Sequence, residues 1–362
     1  MFYHLFFSLA PQYSIFNVFR YVTFRTAYAA LTALLICLVV APGLIRFLQH
    51  RQIGQVIREE GPQSHFSKAG TPTMGGVLIL GAMLISTLLW ANLSAFTVWI
   101  VLLSTLAFGA VGLWDDYLKL ARRHNRGFLV KYKFSVEIVV ALVIVSMWCV
   151  WAQPESVATR LSVPFFKAVA PDLGFLGYIP FAVLVIVGTS NAVNLTDGLD
   201  GLAVGPVIIA TFVYAGIAYV AGHVVFSNYL NILYVRGAGE VAVFCGALFG
   251  ACLGFLWFNA YPAQVFMGDV GSLALGGALG TIAMVAKHEL LLLLIGGLFV
   301  IETLSVMIQV VSFKLTGKRV FRMAPLHHHF EEKGWQEPKV IVRFWIIAIV
   351  LALVSLSTLK LR

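Results

Sequence analysis

The chain contains six aspartates, and five of them stand in polar motifs that interrupt long apolar runs. Asp115 and Asp116 are adjacent, with Lys119 one helical turn on and Arg122, Arg123 and Arg126 beyond. Neighbouring carboxylates repel unless a cation compensates them. A magnesium ion shared with diphosphate oxygens is one such cation. The plain alternative is a solvated helix end beside a basic loop. A second motif, NAVNLTDGLDG, spaces Asn191, Asn194, Asp197 and Asp200 by three. On a helical or tight-turn backbone such a row shares one side, and Gly198 and Gly201 allow a ligand close to the backbone. The later ligands of a calcium loop are missing, which excludes an EF-hand. The plain alternative here is a capped polar turn. A third motif carries Asn259, Phe266 and Asp269. Asp269 is predicted at a helix N-cap, where free N–H groups and the helix dipole favour phosphate. Phe266 offers a ring for stacking on a base.

The last polar loop holds His327, His328 and His329 in succession. Sequence neighbours do not all face one metal ion, so phosphate contact or proton shuttling suits them better. Lys68, Thr73, Lys119, Lys131 and Lys133 add phosphate-binding groups from two further loops. Glu302 interrupts an apolar run and is expected to accept structural hydrogen bonds, while Gln309, nearer the polar end of that run, is the better substrate contact.

Such groups need a scaffold, and the composition defines it. The chain is 60% hydrophobic and only 11% charged, whereas a soluble protein has about a quarter of its residues charged. That places it in a bilayer as an all-α polytopic protein. Charged residues used as rulers divide it into about ten spans of one integral membrane domain, 1–362. These lie near 26–46, 74–92, 95–113, 134–153, 175–193, 201–222, 239–258, 271–286, 290–312 and 343–359. The loops then fall into two sets. The set holding Asp115, Asp116, Asp197, Asp200 and Asp269 carries 17 of the 25 Lys and Arg. The positive-inside rule puts that set in the cytoplasm and both termini in the periplasm. Segment 153–174 is expected to form a small non-helical cap on the outer side. The net charge of +9 is explained by this loop asymmetry, not by nucleic-acid binding. The four cysteines fall inside apolar segments without metal spacing and read as packing residues. The N-terminus lacks the basic start of a cleavable signal.

Clustered aspartates, lysines and a helix N-terminus at a membrane surface suit phosphate chemistry. There is no GxxxxGK[ST], so a P-loop ATPase is excluded. A secondary transporter also places polar groups on broken helices, but near the bilayer midplane and with inverted repeats. The aspartates here gather at one surface, and no repeat is visible.

The paired Asp115-Asp116, the NAVNLTDGLDG run, Phe266-Met-Gly-Asp269 and the histidine-rich last loop resemble the polyprenyl-phosphate N-acetylhexosamine-1-phosphate transferases. Ala324-Pro-Leu-His-His-His-Phe-Glu331, with Arg322 before it, is similar to the branch of that superfamily whose donor is UDP-N-acetylmuramoyl-pentapeptide; a UDP-N-acetylglucosamine donor is the alternative. The resemblance covers nearly the whole chain. It implies undecaprenyl phosphate as acceptor, lipid I and UMP as products, Mg²⁺ as cofactor, a bacterial inner-membrane location and a homodimer. It implies Asp269 as a Mg²⁺ ligand, with Asp115 and Asp116 the essential pair. We expect Asp116 to support the metal and Asp115 to keep the lipid phosphate charged. The resemblance further implies nucleoside contacts from Asn194, Asp197, Gly198, Asp200, Asn259, Phe266, Lys68 and Gln309, and donor contacts from His328 and His329. Thr73, Lys119, Lys131, Asn191 and His327 complete the expected substrate site, with His328 catalytic.

Overall fold

In hydrocarbon a backbone must satisfy its own hydrogen bonds, so apolar runs of this length fold as helices. The computed structural model describes residues 1–51, 70–122, 128–152, 154–166 and 169–360. Lys68, Arg123 and Arg126 lie outside these residues, as does the side chain of Arg122. The helices are α1 (Phe2–Leu9), α2 (Val22–His50), α3 (Gly76–Trp90), α4 (Phe96–Arg122), α5 (Val130–Trp151), α6 (Gly174–Thr196) and α7 (Val204–Ala221). They continue with α8 (Val224–Leu230), α9 (Ala238–Asn259), α10 (Gly268–Val285), α11 (Leu292–Ile295), α12 (Gly297–Thr316), α13 (Leu326–Glu331) and α14 (Glu337–Thr358).

Among the described residues, nine helices are long and apolar enough to cross a membrane. The tenth expected span is α3, whose 15 residues fall short of the ~20 a bilayer core needs. Non-helical backbone at 71–75 precedes it. The N–H of Gly75 donates to the Phe266 carbonyl and that of Gly76 to the Met267 carbonyl, both at 2.8 Å. Irregular backbone at this depth is tolerated because protein satisfies it. The expected span at 290–312 is also modified: it breaks at Gly296 into α11 and α12. Among its described residues, segment 154–173 is largely non-helical, as expected. A 3₁₀ turn spans Glu155–Val157, and Arg160 bridges to Asp172. All four cysteines are buried and free.

The core is built around α10, in which every residue from Val270 to Val285 is buried. Membrane helices associate through small residues that let backbones approach. A Cβ placed on Gly276 would lie 2.5 Å from the Ser190 Cα on α6, and one on Gly112 of α4 only 2.1 Å from the Asp269 carbonyl oxygen. Two glycines thus set how closely α6 and α4 approach the central helix.

The loops separate to two ends of the bundle, as the charge pattern requires. At one end Arg25 makes two hydrogen bonds to Glu240, at 2.6 and 2.7 Å, and Glu240 also accepts the Asn92 N–H at 3.1 Å. At the other end lie Asp115, Asp116, Asp197, Asp200 and Asp269. Replacing Gly276 by alanine should cost about 1–3 kcal/mol, the usual penalty for overpacking a tight core, because its obstacle is backbone. Thermal unfolding in detergent would measure it; an unchanged midpoint would contradict the close approach.

Candidate active site

Three carboxylates converge where α4 meets the first turn of α10. One oxygen from each of Asp115, Asp116 and Asp269 lies within 4.8 Å of the others. The sequence places them there simply. Asp115 and Asp116 occur where the apolar face of α4 gives way to polar sequence, and Gly112, one turn earlier, lets α4 touch the Asp269 backbone. Asp116 accepts the N–H of Val270 at 3.1 Å, which ties α4 to an orphan donor of α10. Asp269 is therefore not the N-cap: Met267 holds that position and Asp269 lies in the first turn. The capping carboxylate comes from another helix.

Two ammonium groups hold this charge together. Lys119 Nζ lies 2.7 Å from Asp115 Oδ2, 2.9 Å from Asp269 Oδ2 and 3.7 Å from Asp116 Oδ1. It thus faces one oxygen of all three carboxylates. Lys133 Nζ lies 2.8 Å from Asp269 Oδ2 and 3.7 Å from Asp115 Oδ2. The remaining oxygens face outward from the shared space: Asp115 Oδ1 accepts the Phe128 N–H at 2.6 Å and Asp269 Oδ1 the Asn194 amide at 3.0 Å. Thr73 sits beside this cluster. A Cβ at Gly268 would meet Asp116 Oδ2 at 2.6 Å and Thr73 Oγ1 at 3.1 Å.

The row of Asn191, Asn194, Asp197 and Asp200 does not form one wall. A spacing of three drifts around an α-helix with 3.6 residues per turn, and α6 ends at Thr196. Asn191 instead donates to Glu137 on α5. Asn194 alone reaches the cluster, bonding Asp269 and, at 2.7 Å, Ser272. Asp200 is nearly fully buried and holds the turn: it accepts the Ala263 N–H at 2.9 Å, and its own N–H donates to Glu337 at 3.0 Å. Asp197 is half-buried, and no hydrogen-bond donor reaches its carboxylate among the described residues. Burial, and then the charges of Asp269, Asp116 and Asp200, push that carboxyl up to about 8.

Other expected contacts are engaged by the protein. Both polar atoms of the Gln309 amide are used: Nε2 donates to the Phe321 carbonyl at 3.0 Å, and Oε1 accepts from Val320 and Phe321 at 3.0 and 2.9 Å. Gln309 shapes the loop before the histidines. Asn259 is buried and donates to the Val265 carbonyl at 2.9 Å, shaping the loop that presents half-buried Phe266. Lys131 is exposed; the neighbouring Lys133 takes the place beside the aspartates.

The histidines divide their work. His327 is fully buried. Glu302 accepts the Leu326 N–H at 2.8 Å and the His327 N–H at 3.2 Å, and its carboxylate lies 3.2 Å from His327 Nδ1. The His327 ring packs on Gly198, where a Cβ would come within 2.3 Å of Nε2. Gly198 therefore admits a histidine ring, and His327 joins the NAVNLTDGLDG turn to α13. His328 Nδ1 lies 2.7 Å from Glu331, and His329 Nδ1 accepts the Arg322 N–H at 3.1 Å.

Sequence reasoning missed Glu137, Ser272 and Glu337. Glu137 carried a signal: it stands four residues after Lys133 in an otherwise apolar run. That spacing also picks out Lys133 over Lys131.

Carboxylates gathered around lysines at one end of a membrane bundle suit a protein that handles phosphate groups through a cation. Residues 98–287 match the description Glycosyl transferase family 4, more than half the chain. Residues 68–80 match phospho-N-acetylmuramoyl-pentapeptide-transferase signature 1. Three curated phospho-N-acetylmuramoyl-pentapeptide-transferases align with the chain over the full length of both partners. They come from Syntrophus aciditrophicus (58% identical), Desulfosudis oleivorans (59%) and Desulforapulum autotrophicum (60%). The chain belongs to the phospho-N-acetylmuramoyl-pentapeptide-transferase family, and is a multi-pass protein of the bacterial inner membrane.

The pH behaviour of Asp197 provides a test. An unfolded aspartate loses its proton near pH 4, whereas the folded one keeps it up to about 8. The carboxyl therefore costs progressively more stability as pH rises between these values, and the cost levels off above. Asp197→Asn should unfold like the parent near pH 4–5 and be more stable at pH 8–9. The gain should be about 1 kcal/mol after discounting for partial exposure. Equal midpoints at both pH values would contradict the burial argument.

Proposed function

We propose that this chain transfers phospho-N-acetylmuramoyl-pentapeptide from its UDP-activated donor to undecaprenyl phosphate, giving lipid I and UMP, the first membrane step of peptidoglycan synthesis. The observation that carries the reading is the Lys119 ammonium facing one oxygen of each of three aspartates. That space suits a small hard cation, because each oxygen is a carboxylate and each carboxylate has its other oxygen anchored. Asp115, Asp116 and Asp269 would hold Mg²⁺ there, and the ion would supply charge neutralisation for a diphosphate. The family and the acidic cluster support this cofactor.

The remaining work belongs to the chain itself. Attack by a lipid phosphate on a diphosphate gathers anions, so positioning and positive charge dominate the catalysis. Lys119 supplies a cation within reach of the reacting phosphates. The N-terminus of α10 adds N–H donors and the positive end of a dipole. Asp197, whose carboxyl has no hydrogen-bond partner among the described residues, faces the nucleoside, whereas Asp200 holds the turn beneath it. Phe266 stacks on the base. His328, oriented by Glu331, and His329 lie along the donor. In the state described, both oxygens of Asp115 are engaged, one by the Phe128 N–H and one by Lys119. This favours direct attack by the lipid phosphate over a phospho-aspartyl intermediate. The clustering of Lys and Arg on the aspartate side supports a cytoplasmic site with periplasmic termini; the resemblance supports a homodimer.

UMP release in Mg²⁺, with undecaprenyl phosphate and either UDP-sugar, tests the assignment. Release is expected with the N-acetylmuramoyl-pentapeptide donor and not with UDP-N-acetylglucosamine. Asp269→Asn should reduce turnover at least 100-fold, in line with loss of a principal electrostatic group, with the thermal midpoint little changed. Near-normal turnover in that variant, or release only from the N-acetylglucosamine donor, would refute the reading.

A further inference from the structure

Lys133 and Glu137 stand one turn apart on α5, close enough to be neighbours on its surface. Lys133 faces the aspartates, with its Nζ 2.8 Å from Asp269 Oδ2. Glu137 is fully buried. One of its oxygens, Oε2, accepts the Asn191 amide. The other, Oε1, is buried and has no partner among the described residues. A buried, unpartnered carboxylate oxygen calls for an explanation. Accepting the Asn191 amide does not supply one, since a glutamine carbonyl would do that without a buried charge.

The explanation lies at the aspartates. Asp269 Oδ2 carries two ammonium groups at once, Lys119 at 2.9 Å and Lys133 at 2.8 Å. A divalent cation held by that oxygen would compete with both ammonium groups for it. The Lys119 side chain is 30% exposed and can turn outward towards water or phosphate, but that of Lys133 is only 14% exposed. A buried ammonium leaves one carboxylate only for another anion.

We propose that Glu137 is a positioning residue of the metal site, which receives the Lys133 ammonium on its unpartnered oxygen when a divalent cation takes Asp269 Oδ2. This rests on reading the three aspartates as that cation's site. The exchange keeps the buried charge compensated. Lys133 pairs with Asp269 before the cation arrives and with Glu137 afterwards. The shift is of the order of one helical turn, about 5 Å, and needs no movement of α5. Asn191 holds the receiving carboxylate in place throughout.

The test is Mn²⁺ binding to the full chain in detergent without substrates, read as loss of the free Mn²⁺ signal in electron paramagnetic resonance. Glu137→Gln should weaken binding about tenfold, the scale on which outer-shell partners tune metal sites, because Lys133 then has nowhere to go and keeps competing. Lys133→Met should bind more tightly than the parent, and adding Glu137→Gln to it should change the affinity less than about twofold. Parent-like binding by Glu137→Gln, or a full tenfold loss that persists in the Lys133→Met background, would overturn the proposal. If Glu137→Gln fails to fold, Lys133→Met decides alone: affinity at or below that of the parent overturns it. Asp269→Asn distinguishes the underlying reading. If the parent binds no Mn²⁺, or Asp269→Asn binds as well as the parent, the metal site itself is wrong and the proposal falls with it.

Discussion

Three carboxylates facing one point at the edge of a bilayer repel one another more strongly than they would in water, and that repulsion has to be balanced before anything else about this protein can work. In a medium of low effective dielectric, like charges a few ångströms apart are costly. The chain balances them with two lysines, one on the same helix as two of the aspartates and one on the helix that follows. The two lysines are thus the counter-ions that let the three carboxylates share one space.

That balance depends on how closely helices approach. Gly112 brings α4 against the Asp269 backbone, and Gly276 brings α6 against the same central helix. Asp116 then caps α10 across the contact and Asn194 bonds Asp269 from the other side. Each of these bonds needs backbones at separations that a single methyl group would forbid. Packing of small residues in the core and placement of charge at the rim are therefore one problem, solved by the same helix.

Much of this was legible in the sequence. The length of uncharged runs gave the helices, because a bilayer admits few alternatives, and loop charge sorted them into two ends. The five aspartates pointed to a candidate site because a carboxylate beside an apolar span is expensive enough to need a reason, and three of them, Asp115, Asp116 and Asp269, converge in the structure. What was not legible was the direction of each side chain. Periodicity suggested one wall for Asn191, Asn194, Asp197 and Asp200, but the helix ends after Thr196 and the four go to four different places. Gln309 and Asn259 have the chemistry of ligand contacts, yet they bond loop backbone. Such loop contacts depend on tertiary structure and carry no signature in residue spacing. Glu302 differs in this respect, since a carboxylate deep in an apolar run had few roles open to it except accepting hydrogen bonds from its own chain.

The attachment of α13 adds a mechanical property. Only Gly297, Leu298, Phe299, Glu302 and Ser305 of α12 are buried, all within its first half, and the helix is broken from α11 at Gly296. Yet Glu302 and Gln309 on this helix hold the backbone of the segment that carries the histidines. The histidine loop is therefore held by a helix buried only in its first half, while Asp269 stands on a helix buried along almost its whole length and Asp115 and Asp116 on its neighbour α4. Support of the histidine loop and support of the carboxylates are therefore carried by different helices, so a change on α12 reaches the histidines through Glu302 and Gln309 without touching the helices that hold the aspartates.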